Sequence, residues 1–209
     1  MRTELMPNET ELSRINALTP VDLERDQVAV LPALAIDQQL TAYDTKIDES
    51  WMTKAAQDAN GEEGVSFLKH HDKNSDPVGR VFFAEIDKSD SKNLRLLVKA
   101  FTANQDVAED YATARFKAVS ALVASSWLKC GACGNEWLSD ECLQAAEDKK
   151  HEAPESSWYR WLFGKYVHVP GVEYDKEKCF LWHMADMDDQ HSGMLELSMV
   201  YKGASAGNS

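Results

Sequence analysis

Residues 116–133, FKAVSALVASSWLKCGAC, carry a serine in the middle of an apolar run and close on a Cys-x-x-Cys. Small and β-branched residues fill the run, Val119 and Val123 among them, and this suits a pleated, largely buried element. The stretch reads as one strand that runs straight into the cysteine pair. Period-two alternation puts Phe116, Ala118, Ser120, Leu122 and Ala124 on one face. A hydroxyl among apolar neighbours needs a partner. A backbone carbonyl would make Ser120 a structural residue, whereas a histidine would make it a nucleophile.

Immediately downstream, Cys130-Gly-Ala-Cys133-Gly134 sets two thiols on a tight turn. Two thiolates at that spacing can reach one tetrahedral ion, and the glycines let backbone amides turn toward the sulfurs. Cys142 and Cys179 are the other cysteines, with His168 between them in HVPG. The pattern predicts a closed structural zinc site built from Cys130, Cys133 and Cys142, with His168 or Cys179 as the fourth ligand. A redox Cys-x-x-Cys is the rival, but that motif belongs ahead of a helix in a βαβ unit, and here a strand precedes it.

The chain of 209 residues is long enough for one substantial domain. Its net charge of −13, from 35 acidic and 22 basic residues, argues against nucleic acid as a partner. The acids are scattered and form no long run, so a DNA mimic is not indicated either. No apolar run has the length of a membrane-spanning helix, and the opening MRTELMPNETELS is too polar for a signal peptide. A cytoplasmic location without a membrane partner is expected, and in that reducing compartment cysteines point to metal more than to disulfides.

Residues 1–26 read as a polar, loosely held arm with one helical turn around Leu12 to Leu18. Residues 27–36, QVAVLPALAI, read as a strand at an edge or bent, because Pro32 cannot donate to a ladder. Residues 40–47 are the candidate hairpin partner. Residues 49–59 space Trp51, Ala55 and Ala59 as a helix would, and Asn60-Gly61 stops it. Residues 65–69 form a short strand that delivers His70 and His71 to a polar turn. Residues 79–86 and 94–101 predict a hairpin, and 106–115 a helix. Residues 143–167 are a charged, Trp-rich insert without a clear period. Residues 179–184 and 193–201 are the closing strands, the latter with Leu195, Leu197, Met199 and Tyr201 on one face and Glu196 on the other. The tail, 205–209, is flexible in composition. This pattern predicts an α+β, mainly β, antiparallel barrel-like domain over 27–204 with flanking helices, and a metal-knuckle insert at 130–179.

The order of these pieces resembles the prohead (capsid maturation) serine proteases of tailed bacteriophages, which are related in fold to the herpesvirus assemblins. The likeness runs over residues 51–204. It comprises a helix, a strand ending in a histidine before a Pro-hydrophobic-Gly-Arg turn (HDKNSDPVGRV), a hairpin, a helix and a serine strand (FKAVSALV). A cysteine knuckle (CGACG), Cys142 and HVPGVEYDKEKC follow, and an E-hydrophobic-S-x-V strand closes the series (ELSMVYKGA). The resemblance implies Ser120 as nucleophile, His71 as general base and Glu196 as the acid that orients the imidazole. It also implies cleavage of scaffold and major capsid protein segments inside assembling proheads in the host cytoplasm, and a homo-oligomer is compatible with that role. The family carries a glycine two places after the serine, where this chain has Leu122, so the oxyanion site is expected to differ. Two further classes stay open. One is a head-assembly or virion protein that keeps the barrel without catalysis. The other is a zinc-stabilised interaction module, which requires the serine and the histidine to lie far apart.

Overall fold

The computed structural model describes residues 3–41, 44–71, 76–115, 118–148, 168, 173–174, 177–178 and 180–200. In chain order the first elements are α1 (Glu9–Ala17), β1 (Ala29–Asp37), β2 (Thr45–Ile47), α2 (Glu49–Asn60), β3 (Val65–Lys69), β4 (Gly79–Asp87), β5 (Arg95–Thr102) and α3 (Gln105–Ala112). Next come β6 (Ala118–Ala124), β7 (Trp127–Cys130), α4 (Asp140–Asp148), β8 (Glu173–Tyr174), β9 (Glu177–Lys178), β10 (Leu181–Met184) and β11 (Gly193–Val200). Six strands form the main sheet in the order β1-β5-β4-β3-β11-β6. Its two outer strands, β1 and β6, approach each other, so the sheet curls into a half-barrel. A smaller sheet has the order β2-β10-β7, and β8 pairs with β9 alone. The protein is therefore α+β and mainly strands.

Helix α2 fills the hollow of the curl. Asp48 caps it by accepting from Ser50 N at 2.9 Å. Its apolar stripe, Trp51, Met52, Ala55 and Ala59, is fully buried. That stripe meets Phe67, Leu96, Leu197 and Met199, the inward-facing residues of β3, β5 and β11, in one continuous core. The β4–β5 hairpin forms as the alternation predicts, and Pro32 lies in the edge strand β1. Gly79 is required by close approach, because a Cβ there would meet the Phe101 carbonyl oxygen at 1.9 Å. Among the described residues no helix is long and apolar enough to cross a membrane.

Several expectations are corrected. The described part of this stretch, 118–133, holds two strands rather than one, with β6 in the main sheet and β7 in the small one. The break at Ser125-Ser126 has defined causes. Trp51 Nε1 donates to the Ala124 carbonyl at 2.8 Å and ends β6. Ser126 N then donates to Met184 O at 3.0 Å, and Ser126 Oγ accepts from Asp186 N at 2.8 Å, which redirects the chain onto β10. The Cys-x-x-Cys turn consequently follows the strand after the serine strand. Residues 40–47 do not pair with β1, whose partner is β5, and β2 instead lies parallel to β10. The main sheet is mixed, not antiparallel throughout, since β3 and β11 run parallel. On β11 a register shift between Met194 and Glu196 leaves Leu195 52% exposed, while Met194, Leu197 and Met199 face the core.

The N-terminal segment is also better ordered than its polarity implies. Asn8 and Glu11 close a reciprocal capping box on α1. Ile15 is fully buried with Val28, Val30, Phe82 and Phe101. Within 143–167, residues up to Asp148 continue α4. The remaining insert residues 149–167, the tail 205–209 and Tyr201 lie outside the described residues. Ile15→Ala should lower unfolding free energy by about 2–5 kcal/mol, as a core truncation does. A change below about 0.5 kcal/mol in urea denaturation would return the segment to a loose arm.

Candidate active site and metal centre

β3 ends at Lys69, and the chain turns through His70 and His71 at φ 60° and 54°. Two successive left-handed non-glycine residues are costly, and the parallel strand β11 holds them there. His70 N donates to Met199 O at 3.1 Å, and His71 N donates to Ser198 Oγ at 3.2 Å. Lys69 on one side reaches Asp110 of α3 at 2.9 Å, which ties the strand end to that helix. The imidazole of His71 then meets Glu196, Nδ1 against Oε1. Ser198 Oγ donates to the same Oε1 at 3.0 Å. Glu196 is only 4% exposed and Ser198 is wholly buried, while the His71 side chain keeps 35% of its surface. A buried carboxylate thus holds one ring nitrogen of a half-exposed histidine, and among the described residues Nε2 is not engaged. An imidazole held by Nδ1–H has its lone pair on Nε2, the arrangement a general base needs.

Ser120 lies on the adjoining strand. In the antiparallel β6–β11 register it is directly opposite Ser198, and Leu122 is opposite Glu196. Opposed residues share a face, with Cβ atoms about 4.5–5.5 Å apart. Ser120, Leu122, Glu196 and Ser198 therefore line one side of the sheet, and Val119, Ala121 and Val123 pack against the core on the other. Ser120 is half-buried. Among the described residues no hydrogen bond joins it to the His71 ring, whose bond runs to Glu196. Leu122 is the cross-strand neighbour of Glu196 on β6.

A second serine–histidine contact occupies the corner between the sheets. Ser125 Oγ lies 2.7 Å from His183 Nδ1. Burial pushes the His183 imidazole below its usual value, so the ring is neutral at neutral pH. Asp48 N also donates to His183 O at 3.1 Å, which joins the small sheet to the cap of α2.

The cysteine cluster is built by β7, the turn after it and the start of α4. Gly134, at φ 80°, lets its N–H return to Cys130 O at 2.8 Å, and Cys130 N donates to Asn135 O at 2.8 Å. Ser139 Oγ accepts from Cys142 N at 3.2 Å, which places Cys142 in the first turn of α4. Trp137 Nε1 donates to His168 O at 2.8 Å and brings the histidine in. Cys130, Cys133, Cys142 and His168 then offer ligand atoms that all lie within 4.8 Å of one another. His168 Nδ1 is 3.0 Å from Cys130 Sγ and 3.5 Å from Cys142 Sγ. A tetrahedron with metal–sulfur bonds of about 2.3 Å has edges of roughly 3.5–3.8 Å, so the set is compatible with a structural metal. Burial pushes the Cys133 thiol up. The hydrogen bond with Cys130, followed by burial, pushes Cys142 up. Three crowded thiols cannot all ionise without a cation among them. Cys179, the other predicted fourth ligand, lies outside the described residues.

No known protein family, curated protein or solved structure matches the chain. The structure brings His71 and Glu196 into contact and sets Ser120 on the next strand, and it gathers four of the five predicted metal ligands. Three contributors escaped the sequence reading. Ser198 was visible as the second member of Glu-x-Ser, a spacing that puts both side chains on one strand face. Ser125 and His183 are 58 residues apart and share no motif.

Because folding holds His183 neutral, the unfolded chain binds more protons between the depressed value and the ordinary histidine range near about 6.5. Stability from this group is complete above that range and falls as pH drops through it. His183→Gln should therefore weaken the loss of melting temperature between about pH 7 and 5 relative to wild type. Parallel melting curves for the two proteins would refute this origin of the pH dependence.

Proposed function

We propose that this protein is a serine endopeptidase of the prohead-protease type, with Ser120 as nucleophile, His71 as general base and Glu196 as the orienting acid. The observation that carries the reading is the His71–Glu196 contact, formed across 125 residues of chain with Ser120 on the adjoining strand. In this scheme His71 Nε2 takes the Ser120 proton as Oγ attacks the scissile carbonyl, and the buried carboxylate stabilises the imidazolium that results. The attack forms a tetrahedral oxyanion, whose collapse expels the amine as His71 returns the proton. Water then hydrolyses the acyl-enzyme by the same route. The half-barrel is consistent with an assemblin-like architecture, and the order of sequence motifs supports scaffold and major capsid protein as substrates within assembling heads.

Zinc is the metal proposed for the Cys130, Cys133, Cys142 and His168 set. Three thiolates and an imidazole close a tetrahedron and leave no position for water, so the ion would be structural. Its binding energy would become folding energy for the β7–α4 region.

The Ser125–His183 hydrogen bond favours one rival nucleophile. Its distance suits a dyad, yet among the described residues no carboxylate orients His183, and the pair lies at a strand corner that needs pinning. A fluorophosphonate probe separates the two, since phosphonylation forms a bond from phosphorus to the attacking oxygen and releases fluoride. Peptide mapping should find the label on Ser120. Ser120→Ala should reduce labelling and cleavage of co-expressed capsid and scaffold protein at least about a thousandfold while keeping the fold, and His71→Ala nearly as much. Label on Ser125, or equal processing by Ser120→Ala, would overturn the assignment. Metal analysis should return one zinc per chain, and Cys133→Ser should lose it and melt earlier. Metal-free protein with an unchanged transition on chelation would refute the zinc site.

A further inference from the structure

Ser198 has no role in the chemistry described so far, yet its hydroxyl lies between the two groups that chemistry requires. It is completely buried. Its Oγ donates to Glu196 Oε1 at 3.0 Å and accepts from His71 N at 3.2 Å. The oxygen it touches is the same one that meets His71 Nδ1. One hydroxyl therefore fixes the carboxylate and also the backbone from which the imidazole projects. That backbone is strained, with His70 and His71 both left-handed. Hydrogen bonds to β11 are what hold such a turn in place.

We propose that Ser198 is a positioning residue, which sets the orientation of His71 and the share of Glu196 charge that meets it, through the Glu196 oxygen and the His71 amide. The proposal rests on the assignment of His71 as the base, but its measurable consequences do not all depend on activity. The hydroxyl has one proton, and that proton goes to Oε1. Oε1 thus divides its negative charge between Ser198 O–H and His71 Nδ1–H. Shared charge attracts a cation less than undivided charge does, so loss of the Ser198 hydroxyl would strengthen the hold of Oε1 on the ring. Its acceptance from His71 N anchors the backbone from which the ring projects, and Ser120 is the cross-strand neighbour of Ser198 itself. Ser198 is poorly suited to be a nucleophile, because it is sealed from solvent and its proton is committed to a carboxylate.

The test compares wild type, Ser198→Ala and Ser198→Thr by two readouts, after thermal melts confirm that each is folded. The first is the pH dependence of fluorophosphonate labelling. The second is the titration of the His71 ring by NMR, which needs no activity. In Ser198→Ala, Oε1 is left to His71 alone, so the ring's titration midpoint and the acidic limb of labelling should both move to higher pH by about half a unit or more. The labelling rate at the plateau should fall about tenfold, through misalignment. Ser198→Thr retains the hydroxyl and should restore both the midpoint and most of the rate. If Thr fails to fold in the buried site, the Ala midpoint still decides. An unchanged His71 midpoint in folded Ser198→Ala would overturn the proposal, as would a rate loss that only follows the folded fraction. A shifted midpoint in a protein that no probe labels would support the positioning role and sink the protease reading instead.

Discussion

Glu196 is a carboxylate that the fold has taken almost entirely out of water, and such a charge survives only if donors meet it. Two do so, Ser198 from its own strand and His71 from the end of the parallel neighbour β3. That requirement constrains the middle of the sheet. The register that sets Glu196 against Ser66 on β3 sets Lys69, the strand end, against Met199, and the chain then turns so that His71 meets the carboxylate. On the opposite side, the register that sets Glu196 against Leu122 sets Ser198 against Ser120. A slip of one residue in either ladder would send half of these side chains into the core and the apolar half into the polar site.

The bulge at Leu195 has a similar status. Before it, Met194 faces the core, and after it Leu197 and Met199 do, so strict alternation is broken once. The extra residue is the exposed Leu195. Were Leu195 taken into regular alternation, Met194 would share a face with Glu196, and a thioether would compete for the side of the sheet that carries the polar cluster. Bulges that re-aim side chains next to functional sites are a common device.

The strands that carry the two candidate sites are joined by the corner at Ser125-Ser126. β6 bears Ser120 and β7 ends in Cys130, with a turn between them that is pinned from α2 and β10. The Cys130, Cys133, Cys142 and His168 cluster lies on the far side of that turn. A metal there would act on the serine strand by rigidity alone, since no ligand of the cluster belongs to the His71–Glu196 pair.

Local chemistry made a large share of this legible in sequence. Helix α2 follows from the spacing of Trp51, Ala55 and Ala59, the β4–β5 hairpin from alternation around a polar turn, and the knuckle from Cys-x-x-Cys with glycines. Each is encoded by residues within a few positions of one another, where periodicity and turn preferences act. The tertiary structure alone decided the rest. Residues 116–133 look continuous because both β6 and β7 are apolar, and only the hydrogen bonds from Trp51, Met184 and Asp186, all distant in sequence, break them in two. The parallel pairing of β3 with β11 joins residues some 130 positions apart, and no local propensity specifies such a partner. The α1 segment reads as a loose arm because Ile15 is the one fully buried residue of its helix, with Leu12 and Leu18 partly buried beside it, and the value of that burial depends on Phe82 and Phe101 on the sheet. Glu196 reads as a solvent-facing residue on an alternating strand, since sequence reports which face a side chain takes but not what covers that face.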